Sequence, residues 1–161
     1  EVREGFGDSL YNYCCPEYFG SSDQMNTAFA HFRLKRTTFE QFMESTRKWY
    51  AGIPYSITDE NQNEQFYEAL FYSLMVGVGA DVEAEGQTSD GRFDIALKMQ
   101  DAIYILEFKF NKTSQEALAQ ILSKDYAVCF AADQRPVWAV GLNVSEDRRT
   151  IESYKMVKVK E

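Results

Sequence analysis

The alternation of apolar and polar positions divides the chain into a helical start and a longer stretch that mixes strands with helices. Ser22-Asp23-Gln24-Met25-Asn26 can cap a helix carrying Ala28, Phe29, Phe32 and Leu34. Thr37-Thr38-Phe39-Glu40-Gln41 opens a second, whose apolar face takes in Phe39, Phe42, Met43 and Trp49, and Gly52-Ile53-Pro54 ends it. From Asn61 to about Val78 the spacing predicts a longer helix, with Phe66, Leu70, Ser73, Leu74 and Gly77 on one face and Glu64 and Glu68 on another. Ala80 to Gln87 then reads as a strand, Thr88-Ser89-Asp90-Gly91 as a turn, Arg92 to Met99 as a second strand, Gln100-Asp101 as a tight turn and Ala102 to Phe110 as a third strand. A helix follows from Thr113-Ser114-Gln115-Glu116, burying Ala117, Leu118, Ile121 and Leu122. Val137 to Val144 reads as a core strand, and Ser153 to Val159 alternates well enough for a sheet edge.

The third strand is apolar up to Leu106 and then turns charged at Glu107-Phe108-Lys109. A side-chain period of two puts Glu107 and Lys109 on the face of Ile103 and Ile105. A Glu-x-Lys on a solvated strand face is ordinary surface, but a run this apolar reads as buried on both faces. Charge that switches on at the end of a buried strand points to a site. Asp94, in Gly91-Arg92-Phe93-Asp94 on the preceding strand, is placed to meet it. Two carboxylates that share a divalent cation, with an ammonium beside them, suit metal-assisted attack on a phosphodiester.

Composition limits the alternatives. A chain of 161 residues that is 45% hydrophobic suits one well-cored domain with a helical appendage. Residues 1–60 read as that appendage, the end of an upstream domain or a linker, and residues 61–161 as the domain. A start on Glu1 rather than Met suggests an excised fragment. The charged N-terminus and the strand-length apolar runs predict neither a leader nor a membrane span, so a cytoplasmic location is expected. Cys14, Cys15 and Cys129 are odd in number, with two adjacent, and read as free thiols. With His31 the single histidine, a zinc site of the Cys/His kind cannot be built, and oxygen ligation favours magnesium or manganese. The net charge of −8 argues against broad affinity for nucleic acid. Residues 61–110 hold nine acids against three bases, so most of the excess lies around the proposed ligands, where a bound cation would invert the local field. Tyr11, Tyr13, Tyr18 and Phe19 could stack on bases, but core packing is the better reading because nothing basic is interleaved with them.

Taken in order, Glu64-Gln65-Phe66-Tyr67, Gly91-Arg92-Phe93-Asp94, Glu107-Phe108-Lys109-Phe110, Ala117-Leu118-Ala119-Gln120-Ile121 and Val140-Gly141-Leu142-Asn143 resemble the PD-(D/E)XK nuclease-like superfamily, in particular the bacterial branch in which such a domain follows a AAA-like ATPase domain. Phe93 stands where the superfamily name has Pro. The resemblance implies a three-layer α/β/α sandwich with a central mixed sheet, of restriction-endonuclease-like form. It implies a nuclease that uses Mg2+ or Mn2+ on nucleic acid, DNA before RNA. Asp94, Glu107 and the backbone carbonyl of Phe108 would hold metal with Glu64 or Glu68, and Lys109 would orient water and stabilise charge. Gln120 resembles a residue that approaches the active site and holds phosphate or water. Lys124, Tyr126 and Arg92 are further candidates for phosphate contact, with a structural salt bridge an equal reading for Arg92. The alternative is a nuclease-shaped module without activity, binding or regulating beside an ATPase domain.

Overall fold

The computed structural model describes residues 23–53, 63–88, 91–147 and 149–161. Ser22, Pro54, Asn61, Ser89, Asp90, the four N-terminal aromatics and Cys14 and Cys15 lie outside the described residues. Three helices open the described chain: α1 (Asp23–Arg33), α2 (Phe39–Ala51) and α3 (Glu64–Gly77). A hairpin of short strands follows: β1 (Asp81–Ala84), β2 (Gln87–Thr88), β3 (Gly91–Arg92) and β4 (Ile95–Lys98). Then come β5 (Ile103–Phe110), helix α4 (Ser114–Ser123), a 3-10 turn at Tyr126–Phe130, β6 (Val137–Ser145) and β7 (Thr150–Lys160).

The helix starts are fixed by local chemistry. Thr38 accepts the Gln41 N–H while Gln41 reaches back to the Thr38 N–H, a reciprocal cap. Asn63 accepts the Phe66 N–H to start α3, and Thr113 accepts the Glu116 N–H to start α4. The buried face of α3 is Tyr67, Phe71, Leu74 and Met75, rotated from the expected one, with Phe66 and Leu70 only partly covered. The reason is a second neighbour. Tyr67 stacks on Phe110 of the sheet and also lies against Tyr50 of α2, whose hydroxyl donates to the Tyr67 carbonyl at 2.7 Å.

Five strands form one mixed sheet in the order β1-β4-β5-β6-β7, antiparallel except for the parallel β5–β6 pair. The parallel pair requires a crossover, which α4 provides. On one face α1, α2 and α3 bury a core through Phe32, Phe39, Phe42, Phe71 and Phe108, with Phe39 stacked on Tyr104 of β5 at 4.7 Å between centroids. On the other, α4 and the 3-10 turn cover Ile103, Ile105 and Ala139 with Leu118, Ile121, Tyr126 and Phe130. The result is the α/β/α sandwich with a mixed central sheet. Thr150 Oγ1 donates to the Arg47 carbonyl at 2.8 Å and ties α2 to the edge strand β7. At Gly141 of β6 the backbone of α4 comes so close that an added Cβ would lie 2.3 Å from the Leu118 nitrogen and 2.4 Å from the Ser114 carbonyl oxygen.

Candidate active site

The two long strands expected from alternation are each broken in the middle. β1–β4 and β2–β3 keep one antiparallel register, Ala84 opposite Ile95 and Gln87 opposite Arg92, with Glu85–Gly86 facing Phe93–Asp94 across the break. Glu85 adopts φ +55°, a left-handed conformation that reorients the strand there. The Phe93 ring closes over Gly86, where a Cβ would lie 1.9 Å from the ring, so glycine is required.

The break determines where Asp94 points. Pairing of β4 with β5 stops at Ile95–Leu106, and Asp94 Oδ2 then accepts the Phe108 N–H at 2.8 Å, a role a backbone carbonyl would fill in a continued ladder. The strands fork, and the carboxylate of Asp94 lies in the fork against β5. Burial raises the proton affinity of both Asp94 and Glu107, and the Asp94 charge raises that of Glu107 further, the mark of carboxylates crowded into one site.

Lys109 ties the rest together. Its Nζ donates to Glu64 Oε1 at 2.9 Å, to the Phe108 carbonyl at 2.9 Å and to Glu107 Oε1 at 3.2 Å. Burial alone lowers the proton affinity of this amine, but the Glu64 and Glu107 acceptors outweigh it and raise its pKa above the ordinary lysine value. Glu107 is 1% exposed, and its Oε2 is buried with no hydrogen-bond partner among the described residues. Burial, then the Asp94 carboxylate, pushes its carboxyl up to about 8 against the pull of Lys109.

Glu64 and Glu68 divide between two positions. Glu64 touches Lys109, whereas Glu68, one turn along α3, faces Asp94 and Glu85 and is pushed up to about 7 by its burial and then by those charges. Arg92 pairs with Glu85 at 3.1 Å, both well exposed. Gln120 is half-buried on α4, and among the described residues its side chain makes no hydrogen bond to this cluster. Tyr126 is a core residue edge-on to Phe93, and Lys124 caps α4 beside Gly91. The roles of Asn143 and Gly86 had no sequence-level reading. Asn143 Oδ1 accepts the Lys112 N–H at 2.9 Å and fixes the chain leaving β5.

Among the described residues no three His, Cys, Asp or Glu side chains converge into a ready-made metal cage. Lys109 Nζ itself lies between Glu64 and Glu107 and donates to both. The donor set still fits a hard divalent ion: Asp94, the orphaned Glu107 Oε2 and the Phe108 carbonyl are all oxygens on one fork.

An acidic, oxygen-lined fork thus lies at the rim of the mixed sheet of a restriction-endonuclease-like core, with one charged lysine held in it. The family model of the PD-(D/E)XK nuclease superfamily matches residues 62–154, and the chain belongs to that superfamily. It is also 30% identical over 156 residues to the uncharacterized protein in the vnfD 5′ region of Azotobacter chroococcum mcd 1. The match covers 94% of this chain and 30% of that relative's length. Nucleases of this superfamily generally use divalent metals and act on nucleic acid. Among the described residues no helix is long and apolar enough to cross a membrane.

The raised carboxyls set a pH dependence. A carboxyl whose proton is held more tightly in the folded than the unfolded chain favours folding fully below the ordinary value of 4.5, and that contribution is lost as pH rises through the folded value near 8. Metal-free protein is expected to melt progressively lower from about pH 5 to about pH 8.5, Glu107→Gln to flatten that slope, and Mn2+ to restore the wild type most at the alkaline end. Melting curves across this range check it; a wild-type slope unchanged in Glu107→Gln contradicts it.

Proposed function

We propose that this domain is a Mg2+- or Mn2+-dependent phosphodiester hydrolase acting on nucleic acid, DNA before RNA. The observation that carries this reading is the buried, unpartnered Glu107 Oε2 on the same fork as Asp94 and beside Lys109. An orphaned buried carboxylate oxygen carries a desolvation cost that a bound cation removes. Asp94, Glu107 and the Phe108 carbonyl would hold the ion, with Glu64 or Glu68 as the outer carboxylate. A divalent ion there supplies Lewis-acid activation of water and neutralises charge growing on phosphorus. Lys109 would orient the attacking water and donate to the oxygen that gains charge on phosphorus. Asp94 keeps the fork open through the Phe108 N–H. Gln120, on the helix facing the Glu107 side of the sheet, holds water or phosphate by rotating inward.

The net charge of −8 calls for basic surface from elsewhere, and an upstream ATPase-like domain in the full-length protein would supply it. The greater length of the Azotobacter relative accords with such a companion. We place the reaction in the cytoplasm. Incubation of the protein with plasmid, linear and branched DNA and with RNA, in Mg2+ or Mn2+ and with its partner domain supplied, should yield nicked or cut strands. No cleavage of any of these overturns the reading. The closed contact of Lys109 with three acceptors favours, as a second reading, a silent nuclease-like module that binds or regulates beside the ATPase domain. That reading predicts no metal uptake dependent on Asp94 or Glu107.

A further inference from the structure

A cleft of about 400 Å³ opens between α3 and the β1–β4 hairpin, lined from the hairpin by Ala84, Glu85 and Arg92. Glu68 both lines the cleft and faces Asp94. Across the cleft from α3 lies Arg92, two residues before Asp94. Tyr72, a turn beyond Glu68, stands in its wall with 37% of its surface exposed, high for a ring this size in the middle of a packed helix. Gln65 and Glu85 complete the polar lining.

Resting on the nuclease reading of the fork, we propose that this cleft receives one unpaired nucleotide flanking the scissile phosphate, its base against Tyr72 and its phosphate on Arg92, so that the substrate is single-stranded or frayed nucleic acid. Size favours this occupant: the cleft lies in the range of small-ligand pockets and is far narrower than a duplex. Chemistry favours it too. An exposed tyrosine ring offers a stacking platform that tolerates any base, and the Gln65 amide and Glu68 carboxylate can meet the donors and acceptors on a base edge. Among the described residues Arg92 pairs with Glu85, an exposed pair of the kind that contributes little, so a phosphate offering two oxygens displaces it readily. A base-paired substrate would have to unstack a nucleotide to reach the cleft, which selects against intact duplex.

The test is equilibrium binding in Ca2+ of a 2-aminopurine-labelled single-stranded oligonucleotide and of its blunt duplex to the full chain, to Tyr72→Ala, Tyr72→Phe and Arg92→Ala, and to Asp94→Asn. The expected result is tighter binding of the single strand, with Tyr72→Ala weakening it by about 5-fold to about 150-fold and changing the fluorophore's quenching. Tyr72→Phe keeps both, and Arg92→Ala weakens binding without altering the quenching. Equal binding of single strand and duplex, indifferent to Tyr72 but lost in Asp94→Asn, overturns the cleft proposal and leaves the nuclease reading standing. No binding of either oligonucleotide by the chain with its partner domain supplied overturns both. Tyr72-dependent binding of an alternating Lys-Val peptide, with none of single strand, makes the cleft a peptide groove and overturns the proposal as well.

Discussion

Asp94→Asn is expected to lose cleavage by about 10²-fold to 10³-fold while melting within a few degrees of the wild type. The isostere separates the two roles of this side chain. An amide oxygen can still accept the Phe108 N–H that Asp94 Oδ2 accepts at 2.8 Å, so the fork between β4 and β5 persists. Its other end then presents an NH2 group, a donor, where the Glu107 side needs an acceptor for a cation. Removing the charge also relieves the repulsion that raises the Glu107 carboxyl, so stability near neutral pH should not fall. Single-turnover cleavage with melting curves on the same preparation checks both halves. Activity within about 3-fold of the wild type would remove Asp94 from the machinery.

Gly141→Ala is expected to cost about 3 kcal/mol or more, and to lower the melting temperature by about 6–12 °C. The added methyl would meet backbone on α4, 2.3 Å from the Leu118 nitrogen, 2.4 Å from the Ser114 carbonyl oxygen and 2.9 Å from the Leu118 Cα. Backbone cannot rotate aside as a side chain can, so α4 must lift from β6. That helix seals the core containing Ile105, Ile121 and Ala139. Gly141 also lies opposite Glu107 in the parallel β5–β6 ladder, so lifting α4 should disturb the site as well. Denaturant unfolding measures the loss, and a change below about 1 kcal/mol would show the packing at this contact to be looser than described.

The parts of the fold that depend on local chemistry were legible in the chain. Thr38 with Gln41, and Thr113 with Glu116, announce helix starts because a cap uses only neighbouring residues. The meander of β1, β4 and β5 followed from alternation and short turns, and the long β5 from its apolar run. The family match spans residues 62–154, which takes in β1, β4, β5 and the Thr113 cap.

What stayed hidden is non-local. Alternation runs straight through Arg92 to Met99, and nothing in it reveals that a left-handed Glu85 and a ring seated on Gly86 break the hairpin and turn Asp94 into the fork. The orientation of α3 depends on Tyr50 of α2 packing against Tyr67, a contact with no trace in the period of the helix itself. That orientation settles the geometry of Glu64 and Glu68, which spacing alone left open: Glu64 reaches Lys109, and Glu68 faces Asp94 and the cleft. Phe39 against Tyr104 is likewise a meeting of distant segments. Gln120, singled out by resemblance, makes no side-chain hydrogen bond to the cluster among the described residues.

The central claim is that Asp94 and Glu107 together hold a divalent ion at the fork, and calorimetric titration with Mn2+ tests it most directly. The wild type should show saturable binding that is lost or weakened at least about 10-fold in both Asp94→Asn and Glu107→Gln. Glu116→Gln, at the exposed start of α4, should bind as the wild type does. Identical isotherms for all four proteins, or no binding by the wild type, would contradict the account.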